Sequence, residues 1–310
     1  RMKVIFMGTP QFAVPTLEGL LERGHAVVAV LTQPDKPAGR GRRLVPSAVK
    51  VVAERAGIRV LQPVTLRDEA LMAELRAMEP DVVVVVAYGH LLPPEVLRMP
   101  RCGCVNVHAS LLPEYRGAAP INWAVIRGEK RTGVTTFRMD ETMDTGEILL
   151  QREVPIADED DAGTLYARLA DVGAALLAET VDGLEKGTLT PRRQDPTRAS
   201  RAPKLKKEDG QIDWTQPAER IWCLIRGTVP WPVAYTHHRG RVLRVWKAAW
   251  RPAEPEGEPG EIVAISPVGI EVKGSGGAVI LREVQPENGR KMGAQEFARG
   301  HALDPGDRFS

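Results

Sequence analysis

The chain has 310 residues, of which 43% are hydrophobic and 26% are charged, a composition typical of an ordinary globular protein. Its apolar runs fall short of the roughly 20 residues that a membrane-spanning helix needs. Its three cysteines are too few for a disulfide framework. The length predicts about two domains. Because "RMKVIFMG" begins a strand almost at once, we expect no signal peptide, and the low cysteine content favours the cytoplasm.

Apolar runs alternate with amphipathic segments along the first half of the chain. The pattern predicts strands near 3–8, 26–32, 58–62, 81–89 and 104–108, and helices near 15–24, 47–56 and 67–78. "DVVVVVAYG" is a continuous run of the kind found in central parallel strands covered on both faces. This alternation predicts a Rossmann-like, doubly wound α/β sheet, in which ligands bind at the carboxyl ends of the strands. The first strand-to-helix turn, "MGTPQFA", lacks G-x-G-x-x-G, so no dinucleotide cofactor is predicted.

The second half of the chain changes in character after one further helix. Two strands joined by a turn-rich link are predicted within 132–154, and a helix near 163–186. A short helix at 217–227 is followed by strands near 232–237, 241–249, 260–266, 268–273 and 278–284, which predict a small OB-like β-barrel. We therefore expect a catalytic domain over 1–188, a basic linker over 189–207 and a barrel domain over 208–310.

The formal net charge is only +2, but the positive charge is clustered. Residues 36–43, "KPAGRGRR", carry four cations and no acid, and residues 192–207 carry seven cations against one acid. For either cluster alone, a solvated surface and a binding role are equally consistent with the sequence. Two such clusters in one chain favour a polyanionic partner.

The motif "NVHASLLPEYRG" begins in the strand near 104–108. Side chains two positions apart on a strand share a face, so Asn106 and His108 should both point to the mouth of the cleft. A buried structural histidine is one interpretation. A nucleophilic Ser110 is another, although no G-x-S-x-G elbow is present. A metal site is not expected, because the six histidines are scattered and Cys102 and Cys104 lack a second ligand pair.

Acyl transfer without a covalent intermediate is the interpretation that uses both side chains. An amine that attacks a carbonyl carbon produces a tetrahedral oxyanion, and the Asn106 amide and the His108 imidazole could both donate to it. Asp144, in the turn-rich link, could orient the imidazole or help accept the proton of the amine. This chemistry needs neither a nucleophile nor a metal.

The same residues carry a resemblance to a known family. "NVHASLLPEYRGAAP" together with "MDETMDTGEIL" resembles the folate-dependent formyltransferases, whose motif is Asn-x-His, Ser-Leu-Leu-Pro, Arg-Gly and a downstream aspartate before Thr-Gly. Within that family, "FMGTPQFAVPTLEGL", "TQPDKPAGRGRRLVPSAVK", "PWP" and "QPENGRKMGAQEFARG" are similar to the branch that acts on initiator tRNA. The matching catalytic set is Asn106, His108 and Asp144.

The resemblance implies a donor, an acceptor and the residues that bind them. The formyl donor would be 10-formyltetrahydrofolate and the acceptor methionyl-initiator tRNA, with no metal and no membrane, and we expect a monomer. The implied folate-binding residues are Tyr88, Gly89, His90, Leu91, Leu92, Ser110, Leu111, Leu112, Pro113 and Asp140. Those implied for tRNA are Lys36, Arg40, Arg42, Arg43, Arg201, Lys204, Lys206 and Lys207. The alternatives are a folate enzyme acting on a sugar or nucleotide amine, and a catalytically silent RNA-binding protein.

Overall fold

A computed structural model of the chain describes residues 1–38, 43–253 and 255–310. The described chain divides into two compact units. The first contains residues 1–117, 131–155 and 166–202, and the second contains 118–130, 156–165 and 203–310. The first unit therefore includes much of the predicted linker, and the second includes two short segments from the earlier half of the chain.

A seven-stranded sheet forms the first unit. Its strands are β1 (Lys3–Gly8), β2 (Ala26–Leu31), β5 (Val60–Leu61), β6 (Val82–Val86), β7 (Cys104–His108), β8 (Arg131–Arg138) and β9 (Ile148–Pro155), in the order β5-β2-β1-β6-β7-β8-β9. Neighbouring strands from β5 to β7 pair in parallel, whereas β8 pairs antiparallel with both β7 and β9. The doubly wound prediction is thus confirmed, and the sheet gains an antiparallel edge beside β7.

Five helices belong wholly or mostly to the first unit, and two of them begin at a side-chain cap. They are α1 (Val14–Glu22), α2 (Ala48–Arg55), α3 (Glu69–Ala77), the single turn α4 (Pro94–Leu97), and most of α6 (Ala162–Lys186). The side chains of Ser47 and Asp68 accept hydrogen bonds from the third residue of α2 and α3 respectively. Gly24, at φ +74°, allows the chain to turn after α1.

Both faces of the central strand are covered. All five valines of β6 are buried, as the continuous apolar run predicts. On one face, Val83 and Val85 pack in a core cluster with Ile5, Met72 and Tyr88. Burial on both faces removes the period-2 polar alternation that a half-exposed strand would show.

The second unit is built on an antiparallel sheet. Its strands are β10 (Ala234–His238), β11 (Arg241–Arg251), β12 (Ile262–Ser266), β13 (Gly269–Gly274), β14 (Gly277–Pro286) and the short β15 (Met292–Gly293). The order is β10-β11-β14-β13-β12, with β15 paired to β14. The helices are α5 (Pro120–Ile126), α7 (Ala218–Gly227) and α8 (Ala294–Gly300).

The C-terminal residues join the two edges of this sheet. Beside β12, the Gly306 amide donates to the Ile262 carbonyl and the Ile262 amide donates to Asp307, both at 2.8 Å. Beside β10, His237 and Ser310 exchange backbone hydrogen bonds of 2.8 and 3.0 Å. The C-terminal segment therefore pairs with both edge strands of the sheet, in keeping with the closure that a small barrel requires.

Most predicted elements are confirmed to within a few residues, and the sequence analysis missed six short helices and strands. These are α4, α5, α8, β15 and the two strands of a hairpin, β3 (Lys36–Ala38) and β4 (Arg43–Val45). Each is seven residues or shorter, so none contains enough turns or alternations to show a clear period. Among the described residues, no helix is both long and apolar enough to cross a membrane.

A buried histidine lies in the core of the second unit. His238 is 8% exposed, its ring lies edge-on to Phe297 and Phe309, and neither ring nitrogen has a hydrogen-bond partner among the described residues. Burial lowers the pKa of His238 below its ordinary value, and the nearby Arg239 lowers it further. Asp307 opposes this shift, while His301 adds to it.

We predict that His238 makes the second unit less stable in mild acid. Above its ordinary pKa of about 6.5, the ring is neutral in both the folded and unfolded chain and has no effect. Below that pH, the unfolded chain takes up the proton first, so the free energy of unfolding falls. His238→Phe should reduce this fall, and His237→Phe serves as the neighbouring control. All six tryptophans lie in the second unit, so their fluorescence follows its unfolding. Equal pH dependence in both variants would contradict the prediction.

Candidate active site

The candidate site begins at the carboxyl end of β7. Asn106 pairs with Val85 of β6 and Phe137 of β8, and His108 pairs with Thr135 of β8. Side chains directly opposite one another lie on the same face, so Asn106 and His108 share the face that carries Val85. The opposite face of β8 contacts α6, where the Thr136 and Thr180 hydroxyls lie 2.7 Å apart.

The His108 imidazole is held on one side by a backbone carbonyl. Its Nε2 lies 2.9 Å from the Tyr115 carbonyl oxygen, and the residue is only 7% exposed. A carbonyl can only accept, so Nε2 carries the proton of the neutral ring. The other nitrogen, Nδ1, lies 3.8 Å from Asp144 Oδ2, which is beyond direct hydrogen-bond distance. Nδ1 is therefore the nitrogen left available for proton exchange.

The Asp144 carboxylate oxygen that faces the imidazole is also held by a backbone amide. Its Oδ2 accepts a 2.8 Å hydrogen bond from the Gly117 amide. Asp144 itself has φ +57°, in the left-handed region that a non-glycine residue enters at a cost. Two residues later, a Cβ at Gly146 would lie 1.7 Å from the Arg138 carbonyl oxygen. The loop can adopt this path only with glycine at 146.

The Asn106 side chain contrasts with its neighbour. It is half-buried and has no hydrogen-bond partner among the residues that the structure describes. A primary amide offers two donors and an acceptor. On the same face as His108, this amide is available to a ligand that presents an oxygen.

The loop after β7 is held by hydrogen bonds to β8 and β9. The Thr135 hydroxyl donates to the Ser110 carbonyl at 2.7 Å and accepts from the Leu112 amide at 3.1 Å. The Gln151 amide group donates to the Leu112 carbonyl at 2.9 Å. The Ser110 hydroxyl is fully buried and donates to the Glu114 carbonyl at 2.6 Å. That geometry gives no support to a nucleophilic role for Ser110.

A cavity of about 340 Å³ opens at the carboxyl ends of β5 and β6. Its walls include residues 63–67, Tyr88, residues 90–94 and Glu141. Tyr88 is 1% exposed, and its hydroxyl has no partner among the described residues. Burial raises the pKa of Tyr88 to about 12, so the hydroxyl keeps its proton and can donate to a ligand.

A larger cavity, of about 870 Å³, lies at the opposite end of the strands. It is lined by Lys3, Asp81, Arg98, Arg101 and neighbouring residues. Three of its basic side chains form ion pairs: Lys3 with Glu79, Arg98 with Glu141, and Arg101 with Asp81. We assign the site to the smaller cavity and the end of β7, because ligands of such sheets bind at the carboxyl ends.

Comparison with known proteins identifies the family. The family model "Formyl transferase" matches residues 2–181, and "Formyl transferase, C-terminal domain" matches 204–302. A methionyl-tRNA formyltransferase from Geobacter metallireducens is 49% identical over 99% of this chain and 98% of the relative. Another, from Caldanaerobacter subterraneus, is 48% identical over 98% of this chain and 99% of the relative.

The chain belongs to the formyl transferase family.

Solved structures share the fold of this formyltransferase at lower identity. The N-formyltransferase of Helicobacter canadensis, in complex with folinic acid and dTDP-3-aminofucose, has a TM-score of 0.71 at 18% identity and covers 93% of this chain and all of that one. HypX from Aquifex aeolicus, in complex with tetrahydrofolic acid, has a TM-score of 0.66 at 18% identity and covers 100% of this chain and 50% of that one. These likenesses concern the fold alone.

The three residues of the formyltransferase motif meet at one place. His108 and Asp144 face each other, and Asn106 lies on the same strand face as His108. Of the residues implied for folate, Tyr88, His90, Leu91 and Leu92 line the cavity, and Gly89 joins Tyr88 to His90 in the chain without being part of the cavity wall.

The other residues implied for folate lie elsewhere. Ser110 and Leu112 are buried, Leu111 packs close to Gly133, and Pro113 follows them in the loop. None of these four lines the cavity, so their contact with folate stays a prediction. The Asp140 carboxylate accepts from the Thr142 amide and the Thr145 hydroxyl, which shapes the loop that carries Asp144.

The residues implied for tRNA are exposed where the structure describes them. Lys36 and Arg43 lie on the β3–β4 hairpin, and Lys36 Nζ donates to the Gln33 side chain at 2.5 Å. Lys204, Lys206, Lys207 and Arg201 are also exposed. Arg40 and Arg42 lie outside the described residues.

Several groups that hold the site were missed by the sequence analysis. They are the Tyr115 carbonyl, the Gly117 amide, the Thr135 hydroxyl and the Gln194 side chain. Two of these are backbone groups, which any residue type could supply. The one signal in the sequence is the glycine at 117, whose conformational freedom the loop requires. In the described part of the chain, no group of three or more His, Cys, Asp or Glu side chains is arranged to hold a metal ion.

Proposed function

We propose that this formyltransferase transfers the formyl group of 10-formyltetrahydrofolate to the α-amino group of methionyl-initiator tRNA. The observation that carries the proposal is the meeting of Asn106, His108 and Asp144 at the end of β7. The full-length similarity to methionyl-tRNA formyltransferases gives the acceptor. We also propose the cytoplasm as its location, where an initiator-tRNA substrate would be found, and, as a separate proposal, a monomer as its working form.

The chemistry follows from the groups at the end of β7. The amine nitrogen forms a bond to the formyl carbon, and the bond from that carbon to the donor nitrogen then breaks. Between these events the formyl oxygen carries a negative charge. The Asn106 amide, which has no partner among the described residues, would donate to this oxygen, and a protonated Nδ1 of His108 would be the second donor.

Proton balance requires one proton to leave the amine and one to reach the departing donor nitrogen. The Asp144 carboxylate lies on the Nδ1 side of His108 and accepts only one hydrogen bond from the described residues, that from the Gly117 amide. The carboxylate can therefore compensate a positive imidazole and take up the amine proton through a bridging water, and the same proton can then return through water to the departing donor nitrogen. No covalent enzyme intermediate is needed.

The cavity beside β6 suits the donor. Its volume of about 340 Å³ falls in the range of small-molecule sites. The buried Tyr88 hydroxyl, which has no partner among the described residues, offers a donor to a polar heteroaromatic ring. Glu141, on the wall of this cavity, belongs to the same loop as Asp144. This arrangement supports placing the pterin between Tyr88 and that loop.

The tRNA is expected to contact the two basic clusters. Lys36 and Arg43 present charge on the hairpin, and Arg40 and Arg42 add to it in the sequence. In the second cluster, Lys204, Lys206 and Lys207 are exposed. Phosphate contacts by lysine and arginine release counterions and supply most sequence-independent affinity.

The acceptor can be decided directly. The enzyme should formylate charged initiator tRNA when supplied with 10-formyltetrahydrofolate, and should leave a 3-amino sugar nucleotide and glycinamide ribonucleotide unmodified. Product analysis by mass spectrometry measures all three in parallel. Formylation of the sugar or the nucleotide in preference to tRNA would replace the proposed acceptor. Binding of tRNA without any formylation would favour the silent RNA-binding alternative.

We predict that the loss of any member of the catalytic set slows the chemical step. Asn106→Ala, His108→Ala and Asp144→Asn should each lower kcat by about 100-fold or more, the usual scale for oxyanion donors and acid–base groups. Asp144→Asn keeps an oxygen that can accept from Gly117, so it removes charge with little change in the loop. Thermal unfolding serves as the control for folding. Normal turnover in His108→Ala would exclude this mechanism.

We also predict that the basic hairpin binds tRNA through its charge. Arg42→Ala combined with Arg43→Ala should weaken tRNA binding and reduce the slope of log affinity against log salt by about 2. The matched control is Arg55→Ala with Lys186→Ala, which removes two exposed cations elsewhere on the first unit. Folate affinity should stay the same in both. If both double variants gave the wild-type slope, the cluster at 192–207 would become the candidate tRNA contact.

A further inference from the structure

The Gln194 side chain connects the two loops that surround the imidazole. Its Nε2 donates to the carbonyl oxygens of Asp144 and Gly146, both at 2.8 Å. Its Oε1 accepts from Arg116 Nε at 3.2 Å and Nη2 at 2.7 Å. The side-chain amide of Gln194 therefore makes all of its hydrogen bonds with two loops, the one that contains Arg116 and the one that contains Asp144 and Gly146.

The loop at 115–117 supplies the hydrogen bonds that hold the side chains of His108 and Asp144. Tyr115 supplies the carbonyl to His108 Nε2, and Gly117 supplies the amide to Asp144 Oδ2. Arg116, which lies between them, is the residue that Gln194 contacts on this side. On the other side, Gln194 contacts the backbone of Asp144 itself. A shift of Gln194 would therefore move both neighbours of the imidazole.

The loops need such support because their backbones are strained. Tyr115 has φ +58° and Asp144 has φ +57°, positions that non-glycine residues seldom occupy. Strained positions persist only when the surrounding structure over-determines them. Two of the hydrogen bonds made by Gln194 fall directly on the Asp144–Gly146 stretch.

The backbone that carries Gln194 is itself fixed on both sides. Arg192 and Ile148 exchange backbone hydrogen bonds of 2.9 and 2.8 Å. The Arg116 amide donates to the Ser200 carbonyl at 2.9 Å, and the Ala202 amide donates to the Arg116 carbonyl at 2.7 Å. The Ser200 hydroxyl also accepts from the Tyr115 amide at 2.8 Å. This stretch of the predicted linker is therefore a rigid support for the site.

We propose that Gln194 is a positioning residue for formyl transfer, one that sets the separation of His108 Nδ1 and Asp144 without touching either substrate. This inference rests on the proposed function, since it assigns the chemistry to those two groups. Displacement of a catalytic group by about 1 Å can reduce the rate by about 100-fold. Substitution of Gln194 should thus lower kcat, and it should do so by displacing Asp144.

Two substitutions separate positioning from general support. Gln194→Glu keeps an acceptor for Arg116 but sets a carboxylate oxygen against the carbonyls of Asp144 and Gly146. Gln194→Met keeps the length of the side chain and removes all four hydrogen bonds. The matched control is Gln285→Met, because Gln285 also bridges, from Trp246 Nε1 to the Gly289 carbonyl, but in the second unit.

The expected result is a fall in kcat of about tenfold or more in Gln194→Glu and Gln194→Met, with KM for either substrate changed by less than about threefold. In an Asp144→Asn background, where the carboxylate is already absent, Gln194→Glu should cost less than about threefold, because coupled groups are not additive. A full additional loss in that background would overturn the proposal. So would a change confined to KM or to the unfolding temperature.

A spectroscopic measurement tests the role of Gln194 without depending on which amine accepts the formyl group. The ¹⁵N signals of the His108 ring report on the Nε2 contact with Tyr115 and on the surroundings of Nδ1. They should move in Gln194→Glu and stay unchanged in Gln285→Met. Unchanged His108 signals in Gln194→Glu would overturn the positioning role whichever amine the enzyme formylates. Shifted signals in an enzyme that does not formylate tRNA would support the positioning role and reject only the proposed acceptor.

Discussion

The hydrogen bond between His108 Nε2 and the Tyr115 carbonyl is the constraint on which the site depends. It places the proton on Nε2 and leaves Nδ1 facing Asp144. For the carbonyl to point at the ring, Tyr115 must adopt a left-handed conformation, and the chain must then turn sharply. Gly117 makes that turn at φ +123°, where a Cβ would meet the Ala202 carbonyl oxygen at 2.6 Å. The conformation of one loop thus determines which nitrogen can take part in the chemistry.

The strands and the principal residues could be predicted from sequence because they depend on local patterns. The five consecutive valines of β6 are all buried, and a continuous apolar run is the sequence pattern expected of a strand covered on both faces. Asn106 and His108 share a face because the strand repeat is two, a rule that needs no tertiary information. The carboxyl-end rule then places them at the ligand-binding edge. The motif resemblance added Asp144, which pattern alone could offer only as one of several carboxylates in its loop.

The rest of the site could not be predicted because it is made by backbone groups and by residues distant in sequence. Gln194 lies 50 residues from Asp144 and 78 from Arg116, and neither separation leaves a periodic signal. The charge of 192–207 indicated a solvent-facing linker, but Arg192 donates a hydrogen bond to the Gln151 side chain in the first unit. A count of cations cannot distinguish an arginine that faces solvent from one that holds a loop. The short hairpin and α5 were missed for the related reason that brief elements show no period.

Satisfied and unsatisfied polar groups divide the site into two parts. Around the imidazole, the Tyr115 carbonyl, the Gly117 amide and the Gln194 side chain all have partners before any substrate arrives, so no reorganisation is needed there during reaction. On the donor side, the Tyr88 hydroxyl and the Asn106 amide have none among the described residues. An unmet buried hydroxyl destabilises the folded chain by about 1–3 kcal/mol, and a ligand that supplies the missing partner removes that penalty. Within the site, the unmet hydrogen bonds therefore lie where the folate and the formyl oxygen are expected, and the fixed groups lie where the proton must move.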